Sequence, residues 1–112
     1  MKEARVWRAK SERVNIGELH PQLRLALEKA GVLHDLLFGK PLIVTSGNDG
    51  RHSRTSRHYR NMAIDIRSWD KSELGQLTFH VILAQLAKEY DLAIFDERNR
   101  DKAPHWHLEI AD

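Results

Sequence analysis

Two short stretches carry residue types that could do chemistry together. The first runs Ser56-Arg57-His58-Tyr59-Arg60-Asn61-Met62-Ala63-Ile64-Asp65-Ile66, and the second is His105-Trp106-His107. His58 and Asp65 stand on either side of a turn that feeds a short apolar strand. His105 and His107 are two positions apart in a strand-like run, so the pleat turns both rings to one face. Imidazoles and a carboxylate converging on one sheet face make a divalent-metal site. Three protein donors with a fourth position open is the catalytic zinc pattern rather than the closed structural one. A plainer reading competes: a turn histidine hydrogen-bonded to a strand aspartate, and two histidines on an exposed strand face with Trp106 anchoring the core side. The two stretches taken together favour the metal, with His107 completing the ligand set and His105 beside it as a supporting or transition-state group.

Composition narrows the chemistry further. The chain contains no cysteine, which excludes disulfides and thiolate zinc sites, so any metal is held by nitrogen and oxygen; seven histidines supply the nitrogen. A length of 112 residues fits one domain, residues 1–112, with a modest core. Hydrophobic content of 41% and charged content of 30% are ordinary for a globular protein. A net charge of +2 is too small to argue for nucleic acid by itself. No apolar run reaches membrane-spanning length, and the first residues lack a signal-like apolar region.

The elements that must position these residues follow from periodicity. Residues 3–16 alternate loosely and suit an edge strand or a wrapping arm. From Pro21, the apolar residues Leu23, Leu27, Ala30, Leu33 and Leu37, preceded by Leu19, recur at helical spacing, and Gly39 before Lys40-Pro41 ends the helix. Gly31 is expected to interrupt or bend it. Pro41 to Ser46 reads as a buried strand, and Met62 to Arg67 as a second, with Ala63, Asp65 and Arg67 on one face. A carboxylate there needs a reason, and a metal supplies one. Asp70-Lys71-Ser72-Glu73 resembles a capping box opening a helix of about twenty residues, whose apolar face is expected from Leu74, Leu77, Val81, Ala84, Ile82 and Leu86. Leu92 to Phe95 and His105 to Ile110 are the remaining strands, with a polar loop from Glu97 to Lys102 between them. The order predicts an α+β fold, a small antiparallel sheet flanked by two main helices.

The ordered motifs Ser56-x-His58-x-x-Asn61-x-Ala63-Ile64-Asp65-Ile66 and His105-x-His107 resemble those of the zinc peptidase family M15. That family holds D-alanyl-D-alanine carboxypeptidases, dipeptidases and phage endolysins. The run Asp49-Gly50-x-His52-Ser53-x-x-Ser56-x-His58-Tyr59 brings the chain closer to the hedgehog-like branch of the same fold. The resemblance covers about residues 20–110. It implies zinc ligands at His58, Asp65 and His107, and a role for His105 in steadying the oxyanion or the zinc-bound water. It also implies His52 at the mouth of the site and substrate contacts from Arg51 and Ser56. The general base it implies is Asp101 or, if the loop carries a short insertion, Glu97; the strand end favours Glu97 slightly. Two departures stand out: Asn61 where the family has glycine, and Pro104 where many members keep the catalytic acid.

The expected activity is hydrolysis of peptide bonds in bacterial peptidoglycan stem peptides by zinc-activated water, in a monomeric domain of hedgehog or DD-peptidase-like fold. Arg51, Arg54, Arg57 and Arg60 read equally as a collar for an anionic substrate or as a solvated loop. No recognition helix or aromatic platform accompanies them, so neither nucleic acid nor membrane is an expected partner. The size and the lack of a leader suit a phage or prophage lysis protein made in the cytoplasm and released to the wall by lysis or carried in a virion. The alternative is a zinc-containing binding module of the same fold without hydrolysis, which Pro104 favours. His20, His34 and His80 fall in helical segments as surface or structural residues, and Trp7 and Trp69 as packing residues.

Overall fold

Strand alternation and helical periodicity resolve into seven elements in the computed structural model, which describes residues 6–12, 14, 17, 19–47, 62–99 and 103–111. In chain order these are β1 (Trp7–Ala9), α1 (Pro21–Phe38), β2 (Leu42–Ser46), β3 (Ala63–Arg67), α2 (Glu73–Glu89), β4 (Leu92–Glu97) and β5 (His105–Ile110). The strands form one sheet in the order β1-β2-β3-β5-β4. The α+β class holds, but the sheet is mixed: β1 runs parallel to β2, and the other pairs are antiparallel. The reason is the connection. The helix α1 carries the chain back between β1 and β2, which only a crossover of that length can do for parallel neighbours.

Both helices pack on one face of the sheet. Leu42, Val44, Ile64, Ile66, Trp106 and Leu108 project there and meet Leu23, Leu27 and Ala30 of α1 and Phe79 and Leu83 of α2. Trp106 is the largest fully buried side chain. Its ring meets Phe79 edge-on at 5.7 Å, and its indole N–H donates to His80 Nδ1 at 3.1 Å. That bond gives an otherwise stranded buried donor a partner.

Helix α1 begins and ends as expected. Pro21 occupies the first turn, and the N–H of Gln22 donates to Nδ1 of His20 at the cap. Gly39 closes the helix at φ 67°, the left-handed conformation that glycine adopts without strain. Gly31 does not interrupt α1. It lies buried under Val6, where a Cβ would stand 2.9 Å from Val6 Cγ2 and 3.0 Å from the Val6 carbonyl oxygen. Glycine is therefore needed for the close approach of the chain entering β1, not for a bend. Leu37, expected on the apolar stripe, is exposed, and His34 takes the buried place nearer the core.

Helix α2 differs more. Ser72, not Asp70, is its cap, with Oγ accepting the N–H of Gly75 at 3.0 Å. Asp70 pairs instead with the buried Lys71 ammonium at 2.8 Å. The buried face is Gly75, Phe79, Leu83, Leu86 and Ala87, while Leu74, Leu77 and Val81 point outward. Trp7 belongs to the core, whereas Trp69 is exposed and carries the Arg67 guanidinium 4.6 Å over its ring. Among the described residues, no helix is long and apolar enough to cross a membrane.

Candidate metal centre

The face of the sheet opposite the helices is assembled by register. Residues directly opposite on paired strands share a face, so the pairings of β5 with β3 and β4 define three rows. Arg67, His105 and Glu97 make one row; Asp65, His107 and Phe95 the next; Ala63, Glu109 and Ala93 the third. The alternate residues Ile64, Ile66, Trp106 and Leu108 are all in the core. The same pleat that buries those four therefore delivers Asp65, His105, His107 and Glu97 to one surface.

The central contact joins Asp65 and His107. Nδ1 of His107 lies 2.9 Å from Oδ1 of Asp65, and Nε2 of the same ring lies 2.8 Å from Oε1 of Glu109. His107 is thus gripped at both nitrogens by carboxylates. Burial alone would lower its pKa, but the hydrogen bonds and charges of Asp65 and Glu109 outweigh it and raise the imidazole above its ordinary 6.5.

His105 is built differently. Its Nδ1 lies 2.9 Å from the carbonyl oxygen of Ala103, which can only accept, so Nδ1 holds the proton. Its Nε2 faces two carboxylates, Asp65 Oδ1 at 3.7 Å and Glu97 Oε2 at 3.6 Å. Asp65 Oδ1 is consequently approached by one nitrogen from each histidine. Phe95 flanks the His107 ring at 5.7 Å between centroids and walls the row on the β4 side.

The donor chemistry fits a divalent ion. A neutral imidazole nitrogen and a carboxylate oxygen suit zinc. Donors on a tetrahedral ion about 2.05 Å away are separated by about 3.3 Å. The 2.9 Å gap between His107 Nδ1 and Asp65 Oδ1 is short of that by only a few tenths of an ångström. Among the described residues, no three histidine or acidic side chains make a ligand set by themselves. The pair supplies two donors, and the third expected ligand, His58, lies outside the described residues, as do Arg51, His52, Ser56 and Asp101.

Of the expected site residues that are described, Asp65, His105, His107 and Glu97 are brought together. Glu97 ends β4 and lies directly opposite His105 on the site face. Pro104 immediately precedes β5, and its carbonyl accepts the N–H of Ser68 at 3.3 Å, a structural task. Glu109 and Phe95 were not anticipated. The signal for Glu109 was present in the sequence, since a residue two beyond His107 on a strand must share its face. Of the three helical histidines, His20 caps α1, His80 accepts from Trp106, and His34 is buried between Phe38 and Phe79. Compared with known proteins, the chain matches no family model and no curated protein.

Proposed function

We propose that this chain is a zinc-dependent peptidase with a hedgehog or DD-peptidase-like domain, acting on stem peptides of bacterial peptidoglycan. The observation that carries the proposal is the in-register pair Asp65–His107, with facing donor atoms 2.9 Å apart and with His105 and Glu97 in the adjacent row. Two further considerations support it: the donor set suits zinc, and the motif order around these residues resembles that of the family M15 peptidases.

Asp65 and His107, with His58, would hold the ion. When bound, zinc supplies a Lewis acid that polarises the scissile carbonyl and makes water a nucleophile near neutral pH. Glu97 takes the proton of the attacking water as the new C–O bond forms and the carbonyl electrons move onto its oxygen; it then passes that proton to the amine nitrogen, and the C–N bond breaks as the C=O re-forms. His105 acts on the oxygen of the scissile carbonyl. Its Nδ1–H is committed to Ala103, so Nε2 is the nitrogen turned to the site, beside the carboxylates of Asp65 and Glu97.

Mass spectrometry of purified muropeptides incubated with the protein, with and without a chelator, tests this reading. Cleavage abolished by the chelator and restored by zinc is the expected result, and the product masses name the bond. Intact muropeptides beside zinc-loaded protein would overturn the hydrolase and leave the binding module, the reading that Pro104 favours.

A further inference from the structure

We infer that Glu109 is the positioning residue for His107: its carboxylate holds the Nε2–H and so fixes Nδ1 as the nitrogen offered to the metal. The inference rests on the zinc reading above and extends it to a residue outside the ligand set.

The argument begins with space. Glu109 lies between Ala63 on β3 and Ala93 on β4 in its own row. Neither neighbour extends beyond a methyl group, so the longer glutamate side chain can lie back along β5 to the next row. There its Oε1 reaches His107 Nε2 at 2.8 Å. A larger side chain at either alanine would compete for that path.

Both ring nitrogens face a carboxylate, so the proton of a neutral His107 could be accepted on either side. With an ion held between Nδ1 and Asp65 Oδ1, the lone pair is required on Nδ1 and the proton falls to Nε2, where Glu109 accepts it. Nδ1 is the atom that faces Asp65 Oδ1. Metal-ligating histidines usually donate their other ring N–H to a carboxylate or carbonyl, which fixes the ring and raises its basicity as a ligand. His105 provides an internal comparison, because its outer nitrogen is held by the Ala103 carbonyl and its other nitrogen also turns toward Asp65 Oδ1. Both rings are thus anchored from behind, one by backbone and one by Glu109.

The test uses the full chain and zinc alone. Glu109→Ala removes the acceptor, and Glu109→Gln keeps the shape while removing the charge, so one variant remains informative if the other fails to fold. Zinc affinity is measured by competition with a chromophoric chelator. Long-range proton–nitrogen spectra of histidine-labelled, zinc-loaded protein report which His107 nitrogen bears the proton. The expected result is zinc affinity weakened roughly 10- to 100-fold in Glu109→Ala and by less in Glu109→Gln. The spectra should show Nε2 protonated in the wild type and a mixture of tautomers in the alanine variant. If the wild type binds zinc and both variants bind it equally with unchanged spectra, the inference is overturned while the zinc reading stands. If the wild type binds no zinc, the zinc reading itself fails and takes the inference with it.

Discussion

The two faces of β5 differ by a single residue step and yet follow opposite rules. Trp106 and Leu108 face the helices in the hydrophobic core, where the indole N–H is satisfied by His80 and the Lys71 ammonium and Arg98 guanidinium lie over the Trp106 ring. His105, His107 and Glu109 face away, and with Asp65 and Glu97 they crowd ionisable groups within hydrogen-bond or ion-pair reach. The core face is arranged for stability. Three carboxylates around two imidazoles on the other face are an arrangement that a cation stabilises. The comparison is most easily broken at Trp106. Trp106→Ala removes its contact with Phe79 and strands the lone pair of His80, and should cost about 3–5 kcal/mol. Chemical denaturation checks this; a loss below about 1 kcal/mol would mean that the core is not centred there.

On the opposite face the expected effect is on rate rather than stability. Glu97→Gln should lower muropeptide hydrolysis by roughly 10²- to 10⁴-fold while zinc affinity is retained, since Glu97 approaches His105 and not the Asp65–His107 pair. Asp101→Asn serves as the counterpart and should leave the rate nearly unchanged. A reversal of these two outcomes would move the base into the loop. Indifference to both would remove the mechanism.

Two histidines sharpen the contrast through pH. His34, buried against the core, has its pKa lowered from 6.5 chiefly by burial, with the Lys40 carbonyl partly offsetting this. The folded state therefore resists protonating it. Its contribution to stability is fully present above pH 6.5 and is lost as pH falls through 6.5 toward the folded pKa. His107 is shifted the other way. Its contribution is fully present below pH 6.5 and is lost as pH rises through its raised folded pKa. In chelator, denaturation midpoints against pH should decline on both sides of the neighbourhood of 6.5. His34→Gln should flatten the acid limb and His107→Gln the alkaline limb. Identical profiles for wild type and both variants would contradict the two burial environments.

Much of this arrangement was legible in the sequence. The alternation in Met62 to Arg67 and His105 to Ile110 placed Asp65 and His107 on polar faces, and Pro21 and Gly39 bounded α1. What alternation cannot supply is which strands adjoin. The register Asp65↔His107 joins residues 42 positions apart, and it turns two motifs into one site. The parallel pairing of β1 was equally hidden, because three residues are too few to show a pattern. Gly31 misled because helix propensity is a local quantity, whereas its reason for being glycine is the backbone of Val6.

The smallest effect concerns α2, where Leu74, Leu77 and Val81 seemed the natural inner face. The segment Leu74 to Ala87 is apolar nearly all round, so helical spacing permits more than one inner stripe. Packing decides: Phe79 is the residue that reaches Trp106, and Gly75 is the one that passes beneath Phe38, where an added Cβ would stand 3.0 Å from its ring. Leu77 is left 58% exposed. Leu77→Gln should therefore change stability by no more than about 0.5 kcal/mol. Phe79→Ala, two residues away, should cost about 3–5 kcal/mol. Paired denaturation curves separate these values readily. A large loss at Leu77 with a small one at Phe79 would rotate α2 about its axis and, with it, the core face of β5 that sets the rows of the site.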